Sequence, residues 1–234
     1  MRVSLDHVEH LTPSIRTFWF KPEKPISYIA GQFIEMTLPH PDPDERGIKR
    51  WFTLSSSPTD APLVSITTKL SDKSSTFKRA LLKLKPGDEL NISSPMGDFV
   101  LPKDSAIPLV FVAGGIGITP FHSIIKWLTK TDQERNITFL YAVSSEHELV
   151  FQKEFEHYGM KRILVVNSPE GEWDGETGRL NGQRIIDLTK PSPKDFIYVS
   201  GPEPMVEALG NELEALSIKK ERVVSDFFPG YSSI

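Results

Sequence analysis

The chain has no cysteine. Disulfides, zinc–thiolate sites and cysteine-held iron–sulfur clusters are therefore excluded. Any redox chemistry must use a non-covalently held organic cofactor, or a metal bound by His and carboxylate. The six histidines are scattered. None forms an HExxH, and His147-Glu148-Leu149 is not a metal motif, so no metal site is expected. A basic excess is also missing. Lys and Arg number 27 against 31 Asp and Glu, a formal net charge of -4. That removes the electrostatic footprint of a nucleic-acid binder. The opening MRVSLDHVEH has no apolar run behind its arginine, so it does not read as a signal peptide. One long apolar stretch, Ile107 to Ile125, has the length of a membrane span. Gly114, Gly115, Gly117 and Pro120 interrupt it and His122 follows them. A buried strand, a glycine turn and a helix start account for it better. The expectation is a cytoplasmic monomer without a membrane span. No internal repeat or low-complexity segment is visible.

What is present divides into two halves of different period. The first half carries short runs rich in β-branched and aromatic residues: Ile15–Phe20, Gln32–Leu38, Arg50–Leu54, Leu63–Thr68, Glu89–Ser93 and Asp98–Leu101. One helical segment, Ser74–Leu84, interrupts them and places Phe77, Ala80, Leu81 and Leu84 at helical spacing. Six strands and one helix imply a six-stranded antiparallel β-barrel. The second half alternates strands and helices. Pro108–Ala113 and Ile137–Val143 are near-continuous apolar runs, the mark of strands buried on both faces. Ile163–Val166, Phe196–Ser200 and Arg222–Phe227 complete the strands. Helices are expected at Pro120–Lys130, Glu148–Tyr158, Gln183–Leu188 and Pro204–Leu216. That order implies an α/β domain with a parallel sheet. Prolines and polar residues between 102 and 108 separate the patterns, giving domains 1–103 and 104–234.

In the second half the strand PLVFVA runs directly into GGIGITP, where a helix starts. Thr119 suits the cap of that helix and Pro120 its first position. Glycines allow backbone N–H groups to approach a ligand, and a helix N-terminus favours anions. The spacing is not GxGxxG, and a tight strand-to-helix turn would need the same glycines. A second turn strengthens the reading: FIYVS ends in GPEPM, again before a helix. Both turns lie at the carboxyl ends of parallel strands, the edge where such sheets bind ligands.

In the first half, RWFT alternates faces, so Arg50 and Phe52 share one side and Trp51 and Thr53 the other. An arginine beside a hydroxyl and two aromatics suits a phosphate next to a flat ring. An arginine paired to a carboxylate beside core aromatics is the commoner arrangement. Ser74, Ser75 and Thr76 open the helix, where hydroxyls serve as caps or help hold a phosphate.

The succession RWFTLSSSP, SSTFKRALLKLKPGDEL, SPMGDFVLP, GGIGITP, VSGPEPM and DFFPGY resembles the ferredoxin–NADP reductase family along nearly the whole chain. It is similar to stand-alone bacterial members without a fused iron–sulfur domain. The resemblance implies a flavin-binding barrel, an NAD(P)-binding domain, and hydride transfer from NAD(P)H to bound FAD. Electrons would then pass to a separate acceptor: ferredoxin, flavodoxin, an oxygenase component or a small or membrane acceptor. By resemblance Arg50 meets the flavin phosphates and Phe52 lies against the isoalloxazine and ribityl part. Thr53 matches the hydroxyl near flavin N5, and Ser75 with Thr76 holds the pyrophosphate. Trp51 and Thr68 are counted with the flavin residues. Gly114, Gly115, Gly117, Thr119 and Pro120 line the dinucleotide, while Gly201, Pro202 and Met205 border the nicotinamide. Phe228 and Tyr231 match terminal aromatics near both rings. Thr53, Ser200 and Asp226 are the catalytic candidates.

Several positions depart from that pattern. Phe52 stands where tyrosine is usual, a missing hydrogen bond of roughly 0.5–1.5 kcal/mol. Ser200 replaces a common cysteine, Asp226 a common glutamate, and Phe227 a frequent acidic residue. Two other functions remain open: an NAD(P)H:flavin reductase with flavin as a dissociable substrate, or an electron-transfer module of a larger complex. NADH is expected over NADPH, because Ala142–Glu148 has no Arg or Lys to meet a 2′-phosphate. Glu146 and Glu148 would repel one, although Ser144 and Ser145 can donate to it and Lys153 follows.

Overall fold

A computed structural model describes residues 1–71 and 73–228. The first half contains β1 (Arg2–His10), β2 (Ile15–Pro22), β3 (Phe33–Thr37), β4 (Lys49–Thr53), β5 (Val64–Lys69), helix α1 (Thr76–Leu81) and β6 (Glu89–Ile92). Its strands form a six-stranded antiparallel sheet in the order β4-β3-β6-β1-β2-β5. A Leu54–Ile66 bridge links the two end strands and closes the barrel. Alternation fills the interior: Val3 and Leu5, Phe18 and Phe20, Ile34 and Met36 point inward. α1 drops Phe77 and Leu81, one turn apart and fully buried, into the same core. Each contributes about 1.5–3 kcal/mol by burial.

The second half contains β7 (Leu109–Gly114), α2 (Thr119–Lys130), β8 (Ile137–Val143), α3 (Gln152–Tyr158), β9 (Lys161–Val166), β10 (Glu176–Thr177), α4 (Gly182–Thr189), β11 (Phe196–Pro202), α5 (Glu203–Ala215) and β12 (Val223–Phe228). All pairings are parallel, in the order β10-β9-β8-β7-β11-β12. β7 is buried on both faces: Leu109, Phe111 and Ala113 join the core under α2 and α3, Val110 and Val112 the core that includes Val206, Leu209 and Leu213 of α5. The chain moves from β7 towards β8 on one side and later to β11 on the other. The switch point thus falls between β7 and β11, where both glycine turns sit.

Four expectations need correction. β1 does not read as a strand from its sequence, because its outward residues are Arg2, Asp6, Glu9 and two histidines and only Val3 and Leu5 are buried. Its pairing with β2 supplies what its composition lacks. Asp98–Leu101 is not a strand. Phe99 instead packs edge-on against Phe121 and Tyr198 of the second half, at 5.4 and 5.1 Å. The Tyr198 hydroxyl donates to the Val100 carbonyl at 2.7 Å. Gly31, at φ +100°, permits this, since a Cβ there would lie 2.0 Å from the Phe99 carbonyl oxygen. The helix expected at Glu148–Tyr158 starts only at Gln152, because Phe151 is left-handed, at φ +61°. Thr119 does not cap α2. A 3-10 turn, Gly115–Ile118, precedes it, Thr119 is already helical, and its hydroxyl donates back to Ile116 O at 3.1 Å.

No helix among the described residues is long and apolar enough to cross a membrane. No group of three or more His, Asp or Glu among them could hold a metal.

Candidate functional site

A cleft of about 450 Å3 opens between the barrel and the carboxyl edge of the parallel sheet. Its walls include Arg50, Trp51, Phe52, Thr53 and Ser75 from the barrel, and Gly115, Thr119, Pro202 and Phe228 from the second half. Nine of the residues singled out in the sequence thus meet around one space.

One end is cationic and rich in hydroxyls. Arg50 Nη2 pairs with Asp44 Oδ1 at 2.5 Å, and Nη1 donates to the carbonyls of Arg46, Gly47 and Lys49 at 2.9, 3.0 and 2.6 Å. Burial works against ionisation of Asp44, yet the Arg50 hydrogen bond and charge outweigh it and hold the carboxyl below its ordinary range. The guanidinium, 5.4 Å from the Phe77 ring centroid, is locked in direction. Its buried Nε has no partner among the described residues. Arg50 is therefore both ion-paired and on the cleft wall. Ser75 caps α1, accepting from Lys78 N at 3.3 Å. Thr76 is not on the wall; its hydroxyl accepts from Asp44 N at 3.0 Å and meets His40 Nε2 at 3.1 Å. Thr68 is not on the wall either. Strand alternation instead turns Thr67 and Lys69 towards the cleft.

The wall is also aromatic, and at Thr53 it adjoins Asp226, which like Ser200 is not itself on the wall. Phe52 and Phe228 line the cleft, and Trp51, 60% exposed, stands beside Phe33. Thr53 Oγ1 donates to Asp226 Oδ2 at 3.3 Å, joining the end of β4 to β12. Burial pushes the Asp226 carboxyl up to about 6, opposed by the hydrogen bonds from Thr53 and the Phe227 backbone. Ser200 is the register partner of Asp226 on β11, fully buried, and its Oγ has no partner among the described residues.

The turn glycines divide by role. Gly115, at φ +51°, lines the cleft. Gly117 does not; a Cβ there would meet the Ser200 carbonyl oxygen at 2.2 Å. A Cβ on Gly201 would lie 2.6 Å from Met205 Cε and 3.2 Å from Gly114 O. Gly117 and Gly201 thus let the two turns pack on each other. Pro120 is buried in α2 away from the wall. Met205 lines a second space of about 150 Å3 with Asn167, Arg179 and Glu212, farther along the same edge. Tyr231 lies outside the described residues.

Sequence reading missed Lys69, Lys73, Ser71 and Thr67 on the wall. The segment KLSDKSS, mixing cations with hydroxyls between β5 and α1, carried that signal. Glu148 is on the wall as expected, but Lys69 Nζ lies 2.5 Å from its Oε1 and offsets its charge.

Two family models match the chain: an oxidoreductase FAD-binding domain over residues 2–101, and an oxidoreductase NAD-binding domain over residues 111–210. The chain thus joins an oxidoreductase FAD-binding domain to an oxidoreductase NAD-binding domain, in the ferredoxin–NADP reductase fold.

The similar proteins are of several kinds. The glycine betaine monooxygenase reductase subunit of Pseudomonas aeruginosa is 29% identical, over 93% of this chain and 61% of the relative. Flavohemoprotein B of Dictyostelium discoideum is 28% identical, over 96% and 58%. The chain therefore spans about three fifths of the length of these curated relatives. A ferredoxin NADP+ reductase from Neisseria gonorrhoeae with bound FAD and NADP shares the fold, with a TM-score of 0.80 at 18% identity, covering 97% of this chain and 98% of that one.

The residues present fit a flavin. Arg50, Lys69 and Lys73 with three serines suit a pyrophosphate, and a flat ring suits a wall that includes Phe52, Phe228 and Thr53.

Proposed function

We propose that this reductase-family protein transfers a hydride from NADH to FAD held in the cleft and passes the electrons to a separate acceptor, either a protein or a small molecule. The observation that carries the reading is the Thr53–Asp226 hydrogen bond, which ties a residue of the cleft wall at the end of the barrel strand to the last described strand of the α/β half, just behind that wall. In this reading the halves divide at 103/104. Bound FAD supplies the chemistry of accepting a hydride and releasing electrons singly. The chain supplies position and electrostatics. Arg50, Lys69 and Ser75 hold phosphate oxygens. Phe52 and Phe228 flank the ring and exclude water. The Thr53 hydroxyl orients a ring nitrogen or the nicotinamide, and Asp226 Oδ2 holds or releases a proton close by. Burial pushes the Asp226 carboxyl up to about 6, so it is mostly ionised at pH 7, accepts the Thr53 hydroxyl's hydrogen bond and can take a proton from solvent. Gly115 and Pro202 border the nicotinamide dinucleotide. The protein should purify yellow, and mass spectrometry of the released cofactor should show one FAD per chain. FMN in its place would contradict the cofactor assignment.

One observation favours a second reading, flavin as a dissociable substrate. Phe52 has no hydroxyl to offer, and its ring packs on Phe77 at 5.9 Å, as part of the barrel core. A colourless protein that reduces added flavin would establish that reading.

NADH is favoured over NADPH. No Arg or Lys lies in residues 142–148, although Ser144 is on the cleft wall. Glu146 remains ionised, its carboxyl held below the usual range by backbone N–H groups, its own and that of Glu170. The offset of Glu148 by Lys69 leaves Glu146 as the main repulsive charge. We expect kcat/KM for NADH to exceed that for NADPH by about tenfold or more, a difference of about 1.4 kcal/mol. A preference for NADPH would overturn this.

A further inference from the structure

Ser55, Ser56 and Ser57 follow Thr53 and Leu54, and all three are fully buried. Buried carbonyls and hydroxyls need partners. The barrel supplies some: Ser55 N donates to Ser65 O at 2.8 Å, and Ser65 N to Ser56 Oγ at 2.8 Å. The Ser55 carbonyl turns towards the second half, and the Ser56 carbonyl, which also accepts from the Tyr28 hydroxyl at 3.0 Å, is shared with it. His122 Nδ1 lies 2.7 Å from Ser55 O, and Ser123 Oγ donates to Ser56 O at 2.6 Å. One turn on, Lys126 Nζ pairs with Asp60 Oδ2 at 2.7 Å. All three side chains project from α2, the helix whose first turn carries Thr119 on the cleft wall.

His122 is an unusual choice for this place. A carbonyl only accepts, so the Nδ1 must carry the proton and Nε2 a bare lone pair. Nε2 is buried without a partner among the described residues. Burial pushes the imidazole down to about 3, so it stays neutral and is no proton donor near pH 7. Its ring stacks on Phe151 at 3.7 Å, and Phe151 adopts φ +61°, rare for a bulky residue. A leucine would fill the space without burying an unmet acceptor. What leucine lacks is a donor for Ser55 O.

We propose that His122, aided by Ser123, is a positioning residue: by holding the Ser55 and Ser56 carbonyls it fixes the end of β4, and hence Thr53, relative to the dinucleotide turn that starts α2. The proposal rests on the functional reading of the cleft, but neither side chain is on the cleft wall.

The test uses His122→Leu, which removes the donor; His122→Asn, whose amide N–H reaches the carbonyl from nearly the same place; and Ser123→Ala. Amide hydrogen exchange is followed at Leu54 and Ser55, whose N–H groups bond to Gln32 O and Ser65 O. In parallel, the rate of flavin reduction by NADH is measured at saturation. With His122→Leu, exchange at 54–55 should rise roughly tenfold while exchange in β8 stays unchanged. Flavin reduction should slow about tenfold, with KM for NADH within about twofold. His122→Asn should restore both. Unchanged exchange at 54–55 overturns the proposal, as does raised exchange with an unaltered rate, or an Asn variant as slow as the Leu variant. If His122→Leu does not fold, Ser123→Ala carries the test, with the same signs and about a threefold effect. A wild-type protein that takes up no flavin would refute the functional reading. The exchange arm would then still decide whether His122 holds the strand end.

Discussion

Replacing Asp226 with Asn should make the protein more stable at pH 7 and about a hundredfold slower. Burial raises the Asp226 carboxyl in the folded chain from 3.8 to about 6. Between about pH 4 and pH 6 the folded state therefore holds a proton that the unfolded state has released. Stability conferred by that proton is complete below pH 4 and is lost as pH rises through 6. The amide has no such titration and still offers Thr53 an acceptor. The variant should match the wild type near pH 4 and exceed it by about 1–2 kcal/mol above pH 6, allowing for solvent around the half-buried carboxylate. Melting temperatures across that range check the sign. The rate should fall because an amide cannot exchange a proton at Oδ2, and the limb near pH 6 in the wild-type pH–rate profile should vanish. A stability optimum built elsewhere would leave the two melting curves parallel. Such a trade is what a site residue kept for chemistry predicts.

Gly117→Ala should cost about 3 kcal/mol or more and abolish turnover. The new Cβ would lie 2.2 Å from the Ser200 carbonyl oxygen, 2.4 Å from its carbon and 2.6 Å from Gly201 Cα. All three are backbone atoms, so no side-chain rotation relieves the overlap. The 3-10 turn and β11 must separate, which carries Ser200 away from Asp226, its neighbour in the ladder. The backbone of Gly117 is not left-handed, so lack of space alone is responsible. Gly210→Ala is the control: the residue is inside α5 with nothing within 4 Å of the added carbon. It should stabilise by about 0.5–1 kcal/mol. Urea unfolding of the two variants should give opposite signs.

The comparison of these glycines shows what sequence can and cannot carry. GGIGITP and VSGPEPM announced a strand, a tight turn and a helix at one sheet edge, because glycine and proline constrain the local backbone strongly. They did not announce that Gly117 and Gly201 exist to let the two turns touch, since that contact joins residues more than 80 positions apart. The buried strands β7 and β8 were legible because burial on both faces demands unbroken apolar runs. β1 was not, because pairing rather than composition makes it a strand. Asp98–Leu101 looked like a strand because the same residues that suit one also suit a surface covered by the other half. Arg50, Thr53 and Ser75 were legible as a group, whereas Lys69 and Lys73 were not. Their place on the wall depends on strand alternation meeting α1, and periodicity alone did not single them out. His122 was visible only as an interruption of an apolar run. Its partner, the Ser55 carbonyl, is 67 residues away.

Reduction by NADH of a flavin held in this cleft is the step on which every other role depends. The most direct measurement is the visible spectrum of the purified protein under anaerobic conditions, before and after stoichiometric NADH. The spectrum should show the bands of an oxidised flavin, bleached by NADH and restored when an electron acceptor is added. A protein that shows no flavin bands, acquires none on incubation with FAD and leaves NADH unoxidised would contradict it.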